Sequence, residues 1–242
     1  MSASTSPRNY IKNRLLAALP LEEYSRLLPN LETVPLHLKQ VLYEPNQAID
    51  YVYFQNHGVV SVVNVMEDGQ IVEVATVGNE GMAGLPVFLG ADKSPQKAFA
   101  QIPGDTMRMR VDVFKDKVTP GSPLHHLLQR YTQALFNQVA QSAACNRVHS
   151  IEERCSRWLL MTRDRVETDQ FLLTQEFLSR MLGVRRASVT VVAGILQKAG
   201  LIEYSRGKIT IVNREGLEAA SCECYGIIKA EYDRLLGGNS GH

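Results

Sequence analysis

The chain has no long apolar run. None of its segments approaches the ~20 residues a membrane-spanning helix needs, so a soluble chain with no membrane partner is expected. Its first residues, MSASTSPRNYIKNRLL, lack an apolar stretch ahead of a small-residue cleavage site. That argues against a secretory signal and for a cytoplasmic location. Cysteine is scarce: Cys145, Cys155, Cys222 and Cys224 are the only four, and none sits in a CxxC pair. A disulfide framework belongs to short, cysteine-dense secreted chains, and this is neither. Cys222-Glu-Cys224 is the only close pair. A CxC pair cannot complete a tetrahedral zinc site alone, and no histidine stands near it in sequence. Positions i and i+2 also point to different faces of a helix. The sequence therefore predicts no metal and no cofactor. Cys155 reads as buried packing, and Cys145 as a thiol near the end of a long helix, facing its copy across a two-fold. Catalytic signatures are missing as well. There is no nucleophile motif, HExxH, Walker A loop or dinucleotide fingerprint, so the chain is not expected to be an enzyme.

Net charge is only +1 over 242 residues, but it is unevenly spread. Residues 1–115 hold ten basic and twelve acidic side chains. Residues 171–214 hold seven basic and two acidic, a net of +5. Either that segment meets a polyanion or it is a solvated charged face. Hydrophobic residues make up 45%, enough for a sizeable core and against disorder.

Three regions follow along the chain. In residues 1–118, NRLLAALPLEEYSRLLPNL reads as helical, with Leu15, Leu16 and Leu19 on one face and Leu27 and Leu28 continuing the stripe. Then VLYEPNQ, DYVYFQNHG, VVSVVNVMEDGQ and IVEVATVG read as closely spaced strands of a β-sandwich or barrel. Asp68-Gly69 reads as a type I′ hairpin turn. Residues 119–149 hold one helix of ~25 residues, which at 1.5 Å per residue spans ~37 Å. Its apolar positions Leu124, Leu127, Leu128, Tyr131, Leu135, Val139 and Ser142 recur every three or four residues. Such a helix either pairs with its copy across a two-fold or packs on its own domain. The dimerisation reading rests on Leu124, Leu128, Tyr131, Leu135 and Val139.

Residues 150–242 open with a helix, SIEERCSRWLLMTRDRV, capped by Ser150 with Glu153 completing a capping box. Trp158, Leu159 and Met161 read as core. Thr174 caps a second helix that runs to Leu182, and Gly183 ends it. A third helix, about Arg185 to Ala199, buries Val189, Val192, Ile195 and Leu196. Two short helices joined by a glycine turn form the helix-turn-helix pattern. Thr174, Gln175, Arg185, Arg186, Ser188 and Thr190 are the candidate DNA-binding residues of this unit, the last four near the end that enters a major groove. The planar fork of arginine suits guanine O6 and N7. GLIEYSRGKITIVN then reads as two strands around a turn, a wing that offers Arg206 and Lys208 to phosphates. The GGNSGH tail reads as unstructured.

The segment TQEFLSRMLGVRRASVTVVAGILQKAGLI, with the strands before it, resembles the Crp/Fnr family of bacterial transcription regulators. The likeness extends over about residues 10–235. It implies an α+β fold: an N-terminal jelly-roll-like β-roll related to cyclic-nucleotide-binding domains, a long dimerisation helix and a C-terminal winged helix-turn-helix. Double-stranded DNA, a second copy of the chain and RNA polymerase are the partners it implies. Arg186 aligns with the family's recognition arginine. Ala187 stands where many members carry glutamate, and Val191 replaces a second base-contacting arginine. The ligand cassette is degenerate: Glu80, Gly81 and Gly84 remain, but Lys97 lies where an arginine would hold a cyclic phosphate. The cluster of N-terminal cysteines seen in the oxygen-sensing branch is missing. His37, His57, His125, His126 and His149 are scattered and form no axial pair for haem. The reading is a homodimeric regulator of a palindromic operator that has lost cyclic-nucleotide binding. The alternative is a regulator gated by a cyclic nucleotide or another small ligand.

Overall fold

A computed structural model describes residues 11–237. The tail read as unstructured lies, from residue 238 on, outside them. Among the described residues, no helix is long and apolar enough to cross a membrane.

Two short helices open the fold, α1 (Arg14–Ala17) and α2 (Leu21–Leu27). The Asn13 side chain caps α1 by accepting from the Leu16 N–H, and its own amide donates to the Gln55 and Gly81 carbonyls. Asn13 thus ties α1 to the sheets. Leu15, Leu16, Leu19 and Leu27 are buried, whereas Leu28 is exposed, so the apolar stripe ends one residue early.

Eight strands form the β-roll: β1 (Glu32–Leu36), β2 (Val41–Tyr43), β3 (Tyr51–Gln55), β4 (Val59–Val65), β5 (Ile71–Val77), β6 (Met82–Ala83), β7 (Lys97–Ile102) and β8 (Gly104–Arg110). They make two four-stranded antiparallel sheets, ordered β1-β8-β3-β6 and β2-β7-β4-β5. The β4–β5 hairpin differs from the type I′ turn expected at Asp68-Gly69. Gly69 has φ of 80°, but Asp68 stays at negative φ. The Gly69 N–H donates to the Met66 carbonyl (2.9 Å), and the Asp68 side chain accepts from the Gln70 N–H. The loop is therefore longer than two residues, and one left-handed glycine closes it. Helix α3 (Leu85–Phe88) lies between β6 and β7, and α4 (Val111–Lys117) leads out of the roll after β8.

The long helix α5 (Pro123–Val148) starts at its Ser122 cap and covers the roll. Leu124, Leu127, Leu128, Tyr131 and Ala134 join the β-roll core, and the Tyr131 hydroxyl donates to the Met82 carbonyl (3.0 Å). The dimerisation reading is corrected here. Leu124, Leu128 and Tyr131 are at most 1% exposed within one protomer, so they cannot face a second copy. Leu135 is half-buried against the same core. The face of α5 that remains open carries Phe136 (66% exposed) and Val139 (37%).

Helix α6 (Ile151–Val166) begins at Ser150, and both hydrogen bonds of its capping box with Glu153 are present. A third sheet, ordered β10-β11-β9, joins β9 (Gln170–Leu172) to the wing strands β10 (Ile202–Ser205) and β11 (Lys208–Ile211). The chain contains α7 (Gln175–Leu182) and α8 (Arg186–Lys198), and its last helices are α9 (Arg214–Ala219) and α10 (Cys224–Leu236). Helix α10 returns along α5 and buries Ile228, Tyr232 and Leu236 in the β-roll core.

Candidate nucleic-acid interface

The α7–turn–α8 unit forms where the sequence places it. Thr174 accepts from the Phe177 N–H (3.1 Å), and Gly183 closes α7 at φ of 63°. Leu178, Met181 and Leu182 of α7 pack with Val189, Val192 and Leu196 of α8. Each such side chain contributes ~1.5–3 kcal/mol on burial, enough to hold two short helices at a fixed angle. Ile195, expected inside, is 44% exposed, and Ala193 takes its place.

The outward residues of α8 form the candidate reading surface. Arg185 caps α8 through its backbone, and no side-chain cap hydrogen bond occupies it. Arg186 and Thr190 are exposed, and Ser188 is half-buried between them. The Thr190 hydroxyl donates to Gln175 Oε1 (2.7 Å), so these two residues brace α8 against the start of α7. Val191, one turn beyond Ala187, is 62% exposed.

The wing turn is Arg206-Gly207, with φ of 51° and 77°. Positive φ at both central residues is the type I′ pattern, which places the Arg206 side chain at the tip. Arg206 and Lys208 are both exposed. Strand β9 pairs with β11 and anchors the wing from behind, and the Tyr204 hydroxyl donates to the Leu173 carbonyl. No sequence signal marks β9, because three residues show no alternation.

Arg185 and Arg186 do not stand alone. They share a groove with Arg180, Glu176 and residues Asp68–Val72 of the β4–β5 hairpin. Arg180, absent from the sequence-derived set, is held by Glu176 at 3.0 Å. The reading head therefore lies beside the β-roll.

Polar contacts fasten that arrangement. Trp158 of α6 donates its indole N–H to Glu73 of β5 (2.8 Å), and Ser61 of β4 donates to the other carboxylate oxygen (2.7 Å). Burial pushes the Glu73 carboxyl up to about 7, against lowering by those two hydrogen bonds. Ser61 also meets Gln101 Oε1 and the Met181 sulfur of α7. Arg154 of α6 donates to the Leu182 carbonyl at the end of α7. Burial lowers its guanidinium from the usual arginine range.

Around Glu80, Gly81 and Gly84, expected from the sequence to be the remnant of a ligand cassette, side chains of α5 and α6 pack closely. Glu80 pairs with Arg165 of α6 at 2.8 Å, and both side chains are less than a tenth exposed. Arg165 also donates to Gln138 Oε1 of α5 and the Thr76 carbonyl. The Tyr131 ring lies where a Cβ on Gly81 would be, and the Arg165 stem where one on Gly78 would be. Gly84 has φ of 95° and starts α3. Lys97 is not drawn in: it pairs with Glu44 at 2.8 Å on the rim. Arg165 escapes a reading of the sequence because nothing marks an arginine on a helix as inward-facing.

The cysteines also differ from expectation. Cys155 is buried packing as read, its thiol pushed up by burial to about 12. Cys145 does not face outward; it is fully buried and its Sγ lies 3.5 Å from that of Cys222. His149 and Cys145 join Cys222 and Cys224 in one cluster. Cys222-Glu-Cys224 thus has a histidine and a third cysteine near it in space, both from the end of α5, although none stands near it in sequence.

Residues 153–220 match the family model described as a Crp-like helix-turn-helix domain. No curated protein is significantly similar in sequence. Among solved structures, FixK2 from Bradyrhizobium japonicum is 16% identical with a TM-score of 0.68, covering 79% of this chain and 98% of its own. A CRP-family transcriptional regulator from Thermus thermophilus is 18% identical with a TM-score of 0.66, over 78% and 96%. The c-di-GMP-responsive global regulator CLP of Xanthomonas campestris is 15% identical with a TM-score of 0.64, over 79% and 99%. With a β-roll, a long helix and a winged reading head in that order, the chain has the fold of the Crp/Fnr transcription regulators and carries their Crp-like helix-turn-helix domain.

Proposed function

We propose that the chain is a homodimeric transcription regulator of the bacterial cytoplasm that reads a palindromic DNA operator in its ligand-free form. The observation that carries this is the exposed set Arg185, Arg186 and Thr190 at the N-terminal end of α8, with Arg206 and Lys208 on the wing beside it. Arg186 reads guanine through its fork. Arg185, Arg206 and Lys208 contact phosphate and set the register. Val191 gives the same face an apolar surface suited to a thymine methyl.

Two copies pair through Phe136, Val139, Ala140 and Ala143, all exposed on the open face of α5. Such a pair presents two reading heads to half-sites about one helical turn apart. Loss of cyclic-nucleotide binding is supported by the Glu80–Arg165 pair and the Tyr131 ring, which fill the cassette. RNA polymerase is the partner through which a bound dimer acts.

One observation favours gating by another small ligand. A cavity of about 510 Å³ opens beside the Glu80–Arg165 pair, between the C-terminal end of α6 and α10, lined further by Arg14, Arg163, Arg214 and Asp233. Selection of DNA from a random pool by the purified, ligand-free protein tests the proposal. Enrichment of a two-fold palindrome supports it. Failure to enrich any site, with a dimer present in sedimentation, refutes the ligand-free reading and favours gating.

A further inference from the structure

Three thiols and one imidazole converge where α5 ends. Cys145 lies in the last turn of α5, and His149 is its C-cap residue. Cys222 lies in the link between α9 and α10, and Cys224 starts α10. Their donor atoms all lie within 4.8 Å of one another. The Cys145 and Cys222 sulfurs are 3.5 Å apart, and the Cys224 sulfur is 3.6 Å from His149 Nδ1. Metal–sulfur bonds of ~2.3 Å and metal–nitrogen bonds of ~2.0–2.1 Å give tetrahedral edges of ~3.5–3.8 Å. The two closest donor pairs match those edges.

The surroundings suit a bound cation. The second ring nitrogen of His149 lies 3.1 Å from a Glu223 carboxylate oxygen. A carboxylate behind the imidazole fixes its tautomer and leaves Nδ1 as the free donor. Gln141 donates an amide N–H to the Cys224 sulfur (3.1 Å). All three cysteines are buried and make a cluster apart from the two main cores.

The geometry points to a structural zinc site formed by Cys145, His149, Cys222 and Cys224. Three thiolates and one imidazole are a closed donor set with no open position for water, which marks a structural rather than a catalytic ion. Binding one Zn²⁺ releases three thiol protons to solvent and leaves a net charge of −1 on the centre. The buried guanidiniums of Arg154 and Arg157 lie close enough to these sulfurs to offset it. The ion joins the end of α5 to the start of α10 across the Val148–Ser150 break where α5 gives way to α6. It therefore fixes the angle at which the reading head leaves the long helix, without touching a DNA-contacting residue.

Metal analysis of the full chain, purified under reductant without chelator, is expected to find one zinc per chain. After zinc removal, titration with Co²⁺ should give the visible bands of a tetrahedral site and a thiolate charge-transfer band. Cys145→Ser should weaken the charge-transfer band, and Cys155→Ser should leave it unchanged. His149→Ala should keep that band but alter the visible ones. Glu223→Gln should weaken metal affinity ~10–100-fold. No zinc and no cobalt spectrum from the reduced wild-type chain would overturn the proposal. So would a spectrum unchanged by both Cys145→Ser and His149→Ala. If Cys145→Ser fails to fold, the wild-type titration and His149→Ala decide the matter. A wild-type chain that shows only a Cys145–Cys222 disulfide and takes up no metal when reduced also refutes it.

Discussion

Replacing Glu73 by glutamine isolates the pH dependence of the contact between β-roll and reading head. The carboxyl is raised from 4.5 to about 7 in the folded chain because burial disfavours its charge. The folded state therefore holds its proton more tightly than the unfolded state. Stability contributed by this residue is highest below the unfolded value of 4.5 and falls as pH rises to about 7. Above that the loss is complete and constant. A shift of that size corresponds to about 3 kcal/mol at pH 9, and under about 1 kcal/mol at pH 5. Glutamine has nearly the same shape and no charge. Its carbonyl accepts from the Trp158 indole, and its amide can donate to Ser61, so both neighbours keep a partner. Urea unfolding of both proteins across pH 5–9 measures the difference directly, since other titrating groups cancel in the comparison. Glu73→Gln is expected to be the more stable chain at pH 9, with the gap closing toward pH 5. A gap that does not vary with pH would refute the reasoning and show that Glu73 acts through packing alone. A gap of the opposite sign at pH 9 would mean that the ionised carboxylate is the form the fold prefers.

Other expectations follow from the same contacts. Arg186→Ala should cost ~1–3 kcal/mol in binding a selected operator and relax specificity at one base pair per half-site, read by competition against single-base variants. Lys208→Ala should instead weaken all DNA alike and lower the salt slope by about one per subunit. Arg165→Met leaves Glu80 buried without its partner and should destabilise by ~3–5 kcal/mol. Adding Glu80→Gln should recover part of that loss in a double-mutant cycle. Phe136→Asp removes ~1.5–3 kcal/mol of apolar burial per subunit from the proposed pairing face. Sedimentation should then show a weaker dimer with an unchanged monomer fold.

The reading head is legible in the sequence because its signals are local. Thr174 caps α7, Gly183 ends it, and Ser150 with Glu153 starts α6, each through hydrogen bonds or backbone geometry within a few residues. The wing follows from Arg206-Gly207 between two apolar runs. What stays hidden depends on partners distant in the chain. The apolar stripe on α5 has the right period, but periodicity does not say what covers it. Leu124, Leu128 and Tyr131 are absorbed by the β-roll, and the open face falls instead to Phe136 and Val139. Asp68-Gly69 has the residues of a two-residue turn, but the Asp68 side chain bonds forward to Gln70 and widens it. The cysteine cluster is hidden most completely: Cys145 and Cys222 are 77 positions apart, and metal spacing rules act only over short segments.

The buried polar contacts also couple the β-roll to the helices that carry the helix-turn-helix. Arg165 joins three elements at once: Glu80 at the end of the roll, the Thr76 carbonyl of β5 and Gln138 of α5. A few residues away, Glu73 and Ser61 reach Trp158 of α6 and Met181 of α7. Moving α6 away from β5 would therefore strand a buried charge pair and a buried carboxylate together, each costly to leave unpartnered. The arrangement resists small displacements and changes only by breaking several contacts in concert. An effector can shift it only by binding the displaced state more tightly than this one. The groove that Arg180, Arg185 and Arg186 share with the β4–β5 hairpin belongs to the same arrangement, so a displacement of α6 from β5 would also change the setting of these arginines.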